Sequence, residues 1–146
     1  PIHEIRRFQI ASPSIIGIRM VQSAFEMIGE AGMPDIEAKA QLGTELMLAL
    51  YDAWLAPLGF TLLTPRDANR RGGHITIGHR DAKKIAAAMR SLIKVVPDYR
   101  TPDSIRVAIS PLPTSFVEVY DGLHRLRSMV ENGDYLRIED NGSRVT

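Results

Sequence analysis

Between residues 98 and 112 the chain reads as a strand, a tight polar turn, a second strand and a proline stop. This pairing restricts the fold more than any other stretch. Ile105, Val107 and Ile109 alternate with Ser104, Arg106 and Ala108, so one face of the second strand is apolar and the other carries Arg106. Pro102 and Asp103 supply the turn, because proline presets φ and an aspartate side chain can bond the backbone two residues on. Pro111 and Pro113 have no N–H to offer a ladder and end the strand. A guanidinium fixed in mid-strand between two small neighbours is placed to grip a carboxylate through two parallel hydrogen bonds. On pattern alone, a solvated strand face is the commoner explanation of Arg106.

The rest of the chain supplies helices and further strands. Residues 2–10 mix apolar and basic side chains and read as an extended connector. Ser12 then serves as an N-cap and Pro13 as a first helical residue. From there to Ala31 a stripe of Ile18, Val21, Ala24, Phe25 and Ile28 falls at helical spacing, and Gly32 stops the helix. A second helix runs from Pro34 to about Ala56, with Leu42, Leu46, Leu50 and Trp54 along its stripe, and the two helices are expected to pack on each other and on something else. Strands are expected over residues 60–64, 74–79, 95–99 and 104–109, with a helix over 82–93. Ser115 and Glu118 form a capping box that opens a last helix, ended by Asn132 and Gly133. These elements divide the chain into connector and long helices (1–58), a small α+β domain (59–133) and a polar, disordered tail (134–146). The expected fold is α+β, with a small, mostly antiparallel sheet covered by helices on one face.

Composition narrows the functional classes. The 146 residues carry a net charge of +1, too weak a field to suggest nucleic acid or an anionic membrane as partner. No apolar run approaches membrane-spanning length. Cysteine is absent, which excludes thiolate metal sites and a thiol nucleophile and fits a reducing, cytoplasmic setting. His74 and His79 lie five apart on a strand and point to opposite faces, so no shared metal is expected. Arg71-Gly72-Gly73-His74 reads either as a phosphate nest or as a flexible turn into a strand, and the turn is the simpler reading. Lys39, Lys83, Lys84 and Lys94 all sit in or at the ends of helices among polar groups, unlike the desolvated lysine a Schiff base needs. From the residues alone the chain carries no complete catalytic set.

The order and spacing of Arg71-Gly72-Gly73-His74, Asp98-Tyr99-Arg100-x-Pro102-x-x-Ile105-Arg106-Val107, Pro111-Leu112 and Ser115-Phe116-x-Glu118-Val119 resemble the C-terminal part of the kynureninases. These are pyridoxal-phosphate enzymes of the aspartate-aminotransferase fold, and the resemblance spans residues 7–129. It implies hydrolysis of L-kynurenine, or of 3-hydroxykynurenine, to an anthranilate and alanine, with pyridoxal 5′-phosphate as electron sink. It assigns Arg106 to the substrate's α-carboxylate. It brings the segment Ala11-Ser12-Pro13 toward the cofactor phosphate or substrate across a homodimer interface. Ala11 departs from the usual Gly-Thr or Ser-Asn pair there, and Pro113 stands where the family usually has tyrosine. The family's Schiff-base lysine and pyridine-nitrogen aspartate belong to a large domain upstream of this segment. The chain is therefore expected to be a C-terminal segment, inactive alone and self-associating. The alternatives are a segment of an aminotransferase- or desulfurase-like enzyme of the same cofactor class, or a non-catalytic binding module of this fold.

Overall fold

The computed structural model describes residues 4–8 and 10–138. Their contacts divide after Asp35, giving an N-terminal unit and a second unit from Ile36 onward. In the first unit Ile5–Phe8 is a 3-10 turn where an extended connector was expected, and residues 2, 3 and 9 of that connector lie outside the described residues. Helix α1 (Ile15–Ala31) starts two residues later than the Ser12–Pro13 signal indicates. Its cap is Ser14, whose Oγ accepts from the Gly17 N–H at 3.1 Å. Gly17 suits this geometry, since a Cβ there would lie 3.1 Å from that same oxygen. Gly32 closes the helix at φ 79°, the left-handed backbone that glycine adopts without strain. No residue of α1 is buried, and Ile18, Val21 and Phe25 of the expected stripe are exposed. Periodicity reports that a helix has an apolar face; it does not guarantee that the chain supplies the complement.

Helix α2 (Met33–Leu50) buries Gly43, Thr44, Met47, Leu48 and Leu50, whereas Leu42 of the expected stripe is exposed. The buried face is thus turned by about one residue, roughly 100°. Two contacts set it: Gly43 lets Ile109 approach so closely that a Cβ would lie 2.6 Å from its Cδ1, and Thr44 receives a buried arginine, Arg71. The helix then widens into a π-turn (Tyr51–Leu55), tightens into a 3-10 turn (Ala56–Leu58) and ends at Gly59, φ 86°. This shift of register buries Tyr51 and Leu55, and the Tyr51 hydroxyl donates to the Phe60 carbonyl at 3.0 Å.

Four strands follow, with two helices among them: β1 (Thr61–Leu62), β2 (His74–Gly78), α3 (Ala82–Ser91), β3 (Asp98–Arg100), β4 (Ser104–Ala108) and α4 (Phe116–Glu131). The sheet is antiparallel throughout, in the order β1-β2-β4-β3. β1 is shorter than the run over 60–64, and Thr64 instead accepts from the Thr76 N–H through its hydroxyl, at 2.7 Å. β3 starts at Asp98, since Pro97 has no N–H for the ladder. On the apolar face Ile75 pairs Val107 and Ile77 pairs Ile105, and these join one core with Leu55, Ile85, Met89 and Leu126. The fold is the α+β arrangement that the order of elements indicates. A 3-10 turn at Asp134–Arg137 buries Tyr135, so packed structure extends into the stretch expected to be a polar tail; residues 139–146 of that tail lie outside the described residues.

Candidate functional site

Arg106 sits at the centre of the sheet face opposite the core. In the ladder it lies directly across from Thr76 on β2 and Asp98 on β3, so the three side chains share one face. Ser104 and Ala108, two residues either way along β4, are the small neighbours on that face. The Arg106 side chain is 37% exposed, and its Nη2 donates to Asp98 Oδ2. Among the described residues no other side-chain partner engages this guanidinium, which leaves Nε, Nη1 and the second Nη2 hydrogen for a ligand.

Asp98 Oδ2 is also held by Arg100, whose Nη2 and Nε donate at 2.7 and 3.0 Å. Partial desolvation pushes the Asp98 carboxyl up, but the hydrogen bonds and charges of Arg100 and Arg106 outweigh it and hold the group below its ordinary 3.8. The cluster is ionised at neutral pH and carries two positive charges against one negative. A face with a surplus guanidinium, open on one edge and anchored on the other, can take a carboxylate in the paired geometry that arginine favours.

Ala11 and Ser12 belong to the N-terminal unit and Arg106 to the other. Both N-terminal residues are exposed, and because Ser14 caps α1, the Ser12 hydroxyl is not engaged in the helix start. The described residues do not by themselves compose a site for pyridoxal phosphate. None of Lys39, Lys83, Lys84 or Lys94 is buried, and Lys94 Nζ donates to the Ser91 carbonyl at 2.9 Å. Among the described residues no three His, Asp or Glu side chains converge as metal ligands.

Two arrangements escape sequence reasoning. The Arg71 side chain is 1% exposed, and its donors are taken by Thr44 Oγ1 at 3.1 Å, the Arg66 carbonyl and Glu45. The arginine of the Arg71-Gly72-Gly73-His74 run is therefore a strut between α2 and the loop before β2. Thr44 and Glu45, adjacent on a helix, were the available signal, but nothing in their spacing names an arginine 26 or 27 residues away. The second is a cluster at the start of α3. His79 Nδ1 accepts from the Asp81 N–H at 3.0 Å, its ring lies 4.7 Å from that of Phe60, and the Tyr135 hydroxyl donates to Asp81 Oδ2 at 3.2 Å. Burial pushes the His79 imidazole below its ordinary 6.5 and, with the Asp81 hydrogen bond, pushes the Tyr135 phenol up.

A family profile described as the kynureninase C-terminal domain matches residues 36–126. Kynureninase of Shouchella clausii is 31% identical over 140 residues, covering 96% of this chain and 32% of the relative. Kynureninases of Geobacillus thermodenitrificans and Bacillus anthracis are each 29% identical over 133 residues, covering 91% of this chain and 31% of theirs. The chain spans about a third of the length of the curated relatives it matches. The matched region contains β2, β3 and β4, and with them Arg106, Asp98 and Arg100.

Proposed function

This chain belongs to the kynureninase C-terminal domain family, and on that footing we propose that it is the C-terminal segment of a pyridoxal-phosphate-dependent hydrolase in which Arg106 binds the substrate's α-carboxylate. The reaction adds water to L-kynurenine, or to 3-hydroxykynurenine, and releases an anthranilate and alanine. The observation that carries the reading is the open edge of the Arg106 guanidinium, fixed by Asp98 in mid-sheet inside the matched region. A charge-assisted pair there contributes about 1.5–3 kcal/mol to binding. The cofactor is held mainly by an upstream part of the kind that makes up the other two-thirds of the relatives, which supplies the Schiff-base lysine. The enzyme is a cytoplasmic homodimer, and Ala11 and Ser12 approach the cofactor from across its interface. That Ser14 and not Ser12 caps α1 supports that role.

The test joins this chain to the upstream two-thirds of a relative such as the Geobacillus thermodenitrificans enzyme. The joined protein is expected to release anthranilate from kynurenine, and the 146-residue chain alone is not. Borohydride reduction with pyridoxal phosphate should label an upstream lysine and none of Lys39, Lys83, Lys84 and Lys94. Arg106→Ala is expected to raise KM for kynurenine on the order of tenfold or more. Unchanged kinetics in that variant would sink the assignment. Transamination products or sulfide in place of anthranilate would move the chain to an aminotransferase- or desulfurase-like enzyme.

A further inference from the structure

Asp98 stands opposite Arg106 in the β3–β4 ladder and shares its Oδ2 between Arg106 and Arg100. Resting on the reading of Arg106 as the carboxylate-binding group, we propose that Asp98 is the positioning residue for Arg106 and that Arg100 neutralises Asp98 toward the substrate.

Three features carry this. An arginine on an open strand face has a long, mobile stem, and a bidentate grip needs its fork held in one orientation. Here a single carboxylate oxygen meets a single guanidinium nitrogen, which fixes the fork through one Nη2 hydrogen and leaves the other, with its neighbouring donor on that edge, for a paired grip. The second feature is the strand itself. β3 has three residues, and two of them, Asp98 and Arg100, are the remaining members of the cluster. The third is charge. A lone Asp98–Arg106 pair would be neutral and would present a carboxylate to an incoming carboxylate. Arg100, reaching the same oxygen through two donors, cancels that repulsion and leaves a net charge of about +1 on the face. Asp98 acts through Arg106 and does not touch the substrate, so its effect belongs to KM and not to kcat.

The proposal is tested in the joined enzyme with Asp98→Ala, Asp98→Asn, Arg100→Ala and Arg106→Ala compared side by side. The loss of a half-exposed ion pair corresponds to about a fivefold change, so Asp98→Ala is expected to raise KM by that factor with kcat nearly unchanged. Asp98→Asn keeps an acceptor for Nη2 and falls between the wild type and Asp98→Ala. Arg100→Ala raises KM as well, because it uncovers the Asp98 charge. In the 146-residue chain, the Arg106 Nε–Hε resonance should report increased side-chain motion in Asp98→Ala. If Arg106→Ala raises KM while Asp98→Ala leaves it unchanged or lowers it, Asp98 is a bystander or a competitor, and the positioning role is overturned with the function of Arg106 intact. If Arg106→Ala itself has no effect, both fall together. Should Asp98→Ala not fold, Asp98→Asn decides between the same outcomes.

Discussion

His79 shows how one side chain can tie the pH response of a fold to its geometry. Its Nδ1 accepts from the Asp81 N–H at 3.0 Å, and the Leu58 backbone beside the ring favours the charged form. The groups around it are Asp81, which favours the charged form, Arg80, which disfavours it, and the rings of Phe60 and Tyr135. Burial dominates, so the folded pKa lies below 6.5. The unfolded chain therefore binds a proton at a pH where the folded chain does not, and stability rises with pH across the window below 6.5. Denaturant midpoints are expected to fall as the pH is lowered from about 7 to about 5, ahead of the carboxylates, whose ordinary range is lower. His79→Asn, which keeps an acceptor for the Asp81 N–H but does not titrate, should flatten that slope. An unchanged slope in this variant would show that the acid response arises elsewhere. At this scale the sequence is a partial guide. Arg106 and its small neighbours are visible in the alternation of one strand, but Asp98 as its partner depends on the β3–β4 register. Arg71 and Tyr135 owe their burial to contacts 27 and 54 residues away, which no local pattern encodes.

Elements were legible where their signals are local. The Ser115–Glu118 box forms as its spacing dictates: Glu118 Oε2 accepts from the Ser115 N–H and hydroxyl, each at 2.8 Å, and Ser115 Oγ accepts from the Glu118 N–H at 3.2 Å. Hydrogen bonds from the Ser115 backbone and then its hydroxyl hold the Glu118 carboxyl below 4.5. Ser115→Ala is expected to cost about 1 kcal/mol in urea unfolding, a usual value for a lost cap. A difference within the scatter of repeated titrations would mean that packing alone sets the start of α4. Composition does not place the cap of α1, because two serines flank Pro13 and both satisfy the rule; only the reach of Ser14 to Gly17 separates them. The buried face of α2 departs from its leucine stripe for a related reason. Leu42, Leu46 and Leu50 are spaced for a stripe, but Gly43 is what lets the helix close on Ile109, and small residues leave no mark in a hydrophobicity pattern.

For the molecule as a whole, the apolar face of α1 has to be accounted for. Ile15, Ile18, Val21 and Phe25 are all exposed, most of them by more than half. A run of this kind along one helix marks an interaction surface more often than a solvated one. A chain matching only a third of its relatives' length is also one in which such a surface can lack its usual cover. The expected consequence is that the 146-residue chain self-associates through α1. Because the contact is apolar, the association should persist at high salt, where pairing between exposed charges is screened. Sedimentation equilibrium should show a mass that rises with concentration, and Val21→Glu with Phe25→Glu should return it to that of a monomer. These substitutions leave the core of the second unit untouched, since its buried residues begin beyond α1. A constant monomer mass, or association that survives both charges, would show that α1 does not drive it. In the joined enzyme the same two charges give a separate reading. Assembly and activity should both suffer if α1 is covered there, and neither should if the helix faces solvent.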